Sequence, residues 1–196
     1  MPKMLVYPDK YPGIASAEAK PPLKNNASDY GLVSRVFHWV MAFCVMFMLA
    51  LGLVLSNFSG DWKPLALKIH ASLGIVVLIM VALRFLWHFY SRVPPLPASV
   101  KRPLRIAATA CHAGLYGLMV AMPFSGWAMM SAFGKKVTFI GMPLPALCAK
   151  NLHNALLLKS LHSILGYALI GLCVLHIAAA MYHHAIAKND VLKRIS

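Results

Sequence analysis

Four of the nine histidines in this 196-residue chain lie where a polar side chain costs most, within long apolar runs. His38 stands near the start of 36–60, which holds no charged residue. His70 opens 69–91, where Arg84 is the one charge, and His162 and His176 share the uncharged run 160–187. His176 follows His162 by fourteen residues. On a helix that step rises roughly 21 Å and returns to within about 40° of the same face. One helix would thus present two imidazoles on one stripe, one in each half of the membrane. His38 matches His176 in depth and His70 matches His162, so two bis-histidine pairs are expected, stacked across the membrane. Paired neutral imidazoles on facing helices suit the six-coordinate iron of a b-type haem, whose flat apolar macrocycle a helical bundle can enclose. Zinc would want four close ligands, and these histidines are split between two depths.

The elements that must position these residues follow from composition. Hydrophobic residues make up 60% of the chain and charged residues 12%, with a formal charge of +14 and a mean hydropathy of +0.68. Those values exclude a disordered chain. They also argue against a soluble enzyme and against a basic nucleic-acid binder, whose charge clusters on a water-facing surface. A helix needs about 20 mainly apolar residues to cross the hydrocarbon core. Four spans are predicted, at 34–56, 66–89, 106–131 and 160–186. The expected fold is therefore an all-α membrane protein, a four-transmembrane-helix bundle with two b-type haems in its core. Residues 1–30, polar and proline-rich, read as a cytoplasmic tail, and 31–196 as the membrane domain.

Loop charge sets the orientation. One side collects Lys3, Lys10, Lys20, Lys24 and Arg35, then Arg84, Arg92, Lys101, Arg102 and Arg105, then Lys188, Lys193 and Arg194. The other side has Lys63, Lys68, Lys135, Lys136, Lys150 and Lys159, opposed by Asp61 alone. Both termini are expected in the cytoplasm, with an outer face positive enough to attract a small anion.

Other residues have plainer roles. Cys44, Cys111, Cys148 and Cys173 show no ligand spacing and support neither a disulfide framework nor a zinc site. Pro123 should kink the third span. Trp39, Trp62 and Trp87 fall at interfacial depth. His88, His183 and His184 lie near the inner interface, and His153 in an outer loop. Within 135–159, residues 146–158 read as a separate helix lying on the outer interface. A glycine follows His70 and His162 by one turn (Gly74, Gly166), leaving room for a flat ligand or for helix packing.

The resemblance is then specific. Arg35-Val36-Phe37-His38-Trp39, Lys68-Ile69-His70 with Gly74, and His112 followed by Met122-Pro123-Phe124-Ser125-Gly126 resemble the bacterial cytochrome b561 family. So do His162 with His176 and the closing Tyr182-His183-His184 with Lys188-Asn189-Asp190. The likeness covers about residues 30–196. Ser163 departs from it, standing where some relatives carry an acid.

The resemblance implies an inner haem on His38 and His176 and an outer haem on His70 and His162. Arg35, Arg84 and His112 become candidate propionate or quinone contacts. It implies electron transfer in a bacterial inner membrane, with superoxide oxidised at the periplasmic face and ubiquinone reduced. Lys135, Lys136 and Lys159 would then attract the superoxide. The partners would be lipid, a quinone and a small anionic donor or a periplasmic redox protein, with no nucleic acid. Two other readings stand beside it: a cytochrome b subunit linking the quinone pool to another redox protein, and a haem-free transporter or scaffold.

Overall fold

The computed structural model describes residues 22–96 and 100–196. Lys3, Lys10 and Lys20, assigned above to the cytoplasmic tail, lie outside the described residues.

Four long helices make up the chain: α1 (Leu32–Val54), α2 (Trp62–Tyr90), α3 (Arg102–Ala132) and α4 (Leu152–Met181). A π-helical turn, Tyr182–Ile186, continues α4. All four are long and apolar enough to cross a membrane. In lipid a backbone must satisfy its own hydrogen bonds, so apolar runs of this length become helices. At 1.5 Å per residue even the 23 residues of α1 reach roughly 35 Å, beyond a hydrocarbon core of about 30 Å. With the π turn counted as part of α4, each predicted span lies within or within two residues of its helix, and α2, α3 and α4 extend beyond the predicted limits.

Local chemistry sets the helix ends. Asn151 caps α4, its side chain accepting from the Asn154 amide at 3.0 Å. α3 ends in a Schellman turn: the Gly134 amide donates to the Ser131 carbonyl at 2.8 Å and the Lys135 amide to Met130 at 2.9 Å. Gly134 takes φ +74° there, a conformation natural to glycine.

α3 continues as a helix through Pro123, since the bonds on either side hold it and opening them in lipid would strand further polar groups. One sequence expectation changes. Residues 146–158 do not form a separate interfacial helix. Their first part is extended chain strapped to α3: the Trp127 indole donates to the Pro145 carbonyl at 3.0 Å, and the Leu147 amide to Ser131 Oγ at 3.1 Å. From Leu152 the chain is already the first turn of α4. The Asn151 cap fixes that start.

A two-residue-strand hairpin, β1 (Thr138–Phe139) with β2 (Met142–Pro143), closes the α3–α4 connection. Ser72 of α2 donates to the Thr138 carbonyl at 2.9 Å and ties it down. At the opposite end the segment before α1, the start of α1, the end of α2 and the C-terminal residues are joined. The Trp39 indole donates to the Ile195 carbonyl at 3.0 Å, Arg194 to Pro95 at 2.9 Å, and Asn25 bonds Ser91 and Arg92 at the end of α2.

The helices alternate in direction. α4 packs most closely along α3, while α2 lies against both α1 and α3. The core is one thin belt at mid-depth, Met41, Val45, Val77, Val81 and Leu169. Leu169, 4% exposed, sits midway between His162 and His176. Leu169→Ala should lower stability by about 2–5 kcal/mol, read as an earlier midpoint when the detergent-solubilised protein is titrated with denaturant.

Candidate functional site

Seven residues make close to two helical turns, so positions seven apart share a face. Each helix carries one such triplet. In chain order they are His38, Val45 and Gly52 on α1; His70, Val77 and Arg84 on α2; His112, Met119 and Gly126 on α3; His162, Leu169 and His176 on α4. Because the helices alternate, the triplets stack as three layers. The middle layer is Val45, Val77 and Leu169 of the core belt, with Met119 packed against them. Two layers rich in imidazole flank it, named inner for the one at the end of the bundle where the C-terminal residues lie and outer for the one at the opposite end.

In the outer layer the rings of His70 and His162 lie 6.2 Å apart, centroid to centroid. In the inner layer His38 and His176 are separated by the same 6.2 Å. A metal–imidazole nitrogen bond of about 2 Å sets two axial imidazoles on one metal about 6 Å apart between centroids. Both pairs therefore have the spacing of ligands on a shared iron. Both bridge helices that the packing leaves apart, since the extended backbone contacts of α4 are with α3 rather than with α1 or α2.

The surroundings of the outer pair fit the same use. Ser125 donates to the Met122 carbonyl at 2.8 Å, and its oxygen lies 2.9 Å from His162 Nδ1. The hydroxyl is thus left to accept from Nδ1–H, which keeps the Nε2 lone pair free for a metal. His70 Nδ1 is buried without a hydrogen-bond partner, which a histidine used only for packing would avoid. An apolar slot runs between the rings, lined by Gly74, Met122, Pro123 and Gly126 among others. Its enclosed part measures about 80 Å³, and about 750 Å³ with the open gap between the helices included. Two glycines stand close beside it, where any side chain would press on an imidazole. A Cβ on Gly126 would stand 3.0 Å from His162 Cε1, and one on Gly52 would stand 3.3 Å from His70 Cε1. A flat macrocycle held by two axial imidazoles fits this arrangement.

The inner layer also holds Arg84 and His112, two of the residues expected to contact propionates or a quinone. His112 places its ring 5.2 Å from that of His176. Arg84 donates through Nε to the Tyr116 hydroxyl at 2.8 Å and lies within electrostatic reach of His38, His112 and His176. Arg35 is engaged differently: it donates to the Tyr30 carbonyl at 2.9 Å and to the main-chain oxygen of Ser196. It holds the inner ends of the chain together one turn before His38. Burial raises the Tyr30 phenol above its usual range, against the nearby positive charges of Arg194 and Arg84. Of the outer lysines, Lys135 and Lys136 line one pocket together with Lys150. Lys159 is outside that lining, exposed on α4 three residues before His162.

Sequence reasoning gave Gly52 no role, named Ser125 and Gly126 only within the family motif, and counted Lys150 only among the six lysines of the outer face. The two glycines had a legible signal, since Gly52 follows His38, and Gly126 follows His112, at the same fourteen-residue interval that separates His162 from His176. Ser125 and Lys150 had none, because their roles depend on contacts between elements. Gly126→Leu is expected to displace the His162 ring and remove about half of the haem-like absorbance, measured as the reduced-minus-oxidised difference spectrum per chain.

Residues 29–196 match the family model described as prokaryotic cytochrome b561. The chain is 38% identical over 176 residues to cytochrome b561 homolog 2 of Escherichia coli (strain K12), covering 87% of this chain and 93% of that one. It is 33% identical over 133 residues to cytochrome b561 homolog 1 of the same organism, covering 64% and 72%. With the probable superoxide oxidase CybB of Yersinia pestis it shares 28% identity over 173 residues, covering 85% and 94%. A multi-pass membrane protein with imidazoles paired at two depths, matched by that family model over nearly its whole described length, belongs to the prokaryotic cytochrome b561 family, whose members bind b-type haem and transfer electrons in membranes.

Proposed function

We propose that this chain holds two b haems, one between His38 and His176 and one between His70 and His162, and carries electrons from superoxide at the periplasmic face to ubiquinone. The observation that carries the proposal is the equal 6.2 Å spacing of the two imidazole pairs, whose α4 members stand fourteen residues apart on one face.

Haem supplies reversible one-electron chemistry at each site. The protein's part is to position it. His162 is oriented through Ser125, while Gly52 and Gly126 keep the space beside the rings open. The Val45–Val77–Met119–Leu169 layer excludes water between the two sites. Arg84 and His112 supply cationic or donor groups for propionates or a quinone at the inner site. Lys135, Lys136 and Lys159 raise the local concentration of a monovalent anion, an effect that salt weakens. Overall, two superoxide ions each give up one electron and leave as dioxygen, while one ubiquinone takes both electrons and two protons.

The basic residues gathered near both termini support a cytoplasmic placement of those ends, in the inner membrane. The name superoxide oxidase belongs to a relative at 28% identity, while the relatives at 38% and 33% carry only the cytochrome name. That difference supports a second reading, in which another redox protein is the electron donor.

Two measurements test the proposal. A pyridine haemochrome assay should give two haems per chain, falling to about one in His70→Ala; a haem-free preparation from haem-supplied cells would overturn it in favour of a transporter or scaffold. Stopped-flow mixing with superoxide should reduce the haems rapidly and yield quinol. Replacing Lys135, Lys136 and Lys159 by Gln together should slow that step about tenfold and flatten its dependence on salt. Haems that superoxide leaves oxidised, but a co-purified protein reduces, would favour the second reading.

A further inference from the structure

The two imidazole layers differ in what accompanies the paired rings. In the outer layer the seven-residue register adds Gly52 and Gly126 to His70 and His162. In the inner layer it adds Arg84 and His112 to His38 and His176. A guanidinium keeps its charge in any protein surrounding, so one layer carries a permanent cation and the other carries none. Arg84 lies within electrostatic reach of His38, His112 and His176. The lysines of the outer end, Lys135, Lys136, Lys150 and Lys159, are exposed, where water and salt screen them.

Arg84 is also held in place. A long cationic side chain on a span ordinarily stretches to the interface. This one, six residues before the end of α2 at Tyr90, instead donates through Nε to the Tyr116 hydroxyl at 2.8 Å. Tyr116 stands on α3 one turn after His112, and its ring meets that of His88 edge-on at 5.9 Å. His88 follows Arg84 by four residues, so Tyr116 is engaged by two side chains of one face of α2. Towards the end of α2, the Trp87 indole donates to Ser34 Oγ at 2.9 Å, and Ser34 is buried. That bond closes α2 against α1. Tyr30, half-buried ahead of α1, lies within electrostatic reach of both Arg84 and Tyr116. Among the described residues no carboxylate pairs with Arg84. The cation is thus half-buried, oriented and unneutralised by the protein.

We propose that Arg84, positioned by Tyr116, fixes the direction of electron transfer by making the inner centre the easier of the two to reduce. This deepens the reading given above and rests on it for the two haems. In the step concerned one electron leaves the centre between His70 and His162, which is oxidised, and enters the centre between His38 and His176, which is reduced. No bond is made or broken and no proton moves. Reduction lowers the net charge of a centre by one, and a nearby cation in a medium of low dielectric stabilises the reduced form by Coulomb attraction. The inner layer has such a cation at its own depth; the outer layer has glycine at both of the remaining positions. Tyr116 acts through Arg84, by keeping the guanidinium at the level of the imidazoles.

The test is a potentiometric titration of the holoprotein followed by its absorbance, in which each haem gives a one-electron wave. The wave that remains in His70→Ala belongs to the inner centre. That wave should be the higher of the two. Arg84→Gln should lower it by about tenfold in the equilibrium between the centres, which is about 59 mV for one electron, and leave the outer wave in place. Arg84→Lys should restore most of the difference. Tyr116→Phe keeps the ring against His88 but removes the acceptor, and should lower the inner wave by about threefold. Added salt should leave the separation of the waves unchanged, because a partly buried charge is screened little. An inner wave below the outer one overturns the proposal, as does an Arg84→Gln protein whose waves stay in place or move together. An inner wave unmoved in Tyr116→Phe overturns the positioning role of Tyr116, and this variant carries the test alone if Arg84→Gln fails to take up two haems. Two haems with unmoved waves overturn this proposal and leave the dihaem reading standing; a native chain without two haems overturns both.

Discussion

The architecture depends on one requirement: imidazoles from different helices must meet at a fixed distance while the helices carrying them stay apart. Packing in lipid gains little from the hydrophobic effect, because the tails are as apolar as leucine. Contact between helices must therefore come from close fit, and a gap in the middle forgoes it. The protein concentrates that fit in two places, along α3 and α4 and in the thin belt around Leu169. The belt spaces the imidazole pairs along the membrane normal, and the gap beside α4 leaves them room.

The two ends of the bundle are built differently. At the inner end, side chains bind the chain's own termini: Arg35 and Trp39 hold the main chain at Ser196 and Ile195, and Asn25 holds the end of α2. Positive charge there is partly spent on structure. At the outer end the strap from Pro143 to Lys150 is held through backbone and tryptophan contacts, which leaves the lysine ammonium groups unpaired by acids and turned to water.

Much of this was legible in the residues. Four apolar runs predict four helices because lipid leaves the backbone no alternative, and the fourteen-residue step from His162 to His176 places both rings on one face because helical geometry is rigid. The residue motifs around His38, His70 and His112 carried the family. What was misread followed a single pattern. Residues 146–158 have the composition of a helix, but the Asn151 cap decides where the helix begins, and the contacts with Trp127 and Ser131 decide where the chain before it lies. Local propensity is weak beside such contacts.

The sequence by itself determined the membrane class, the number of spans, the family, and which histidines share a depth. All of these rest on periodicity and burial cost, which act along a single helix. Tertiary structure alone decided the rest: that the paired rings stand 6.2 Å apart, that Ser125 orients His162, that Arg35 turns to the chain end, and that Lys150 joins Lys135 and Lys136. Each depends on how one element is rotated and set against another, which the order of residues within either element does not encode.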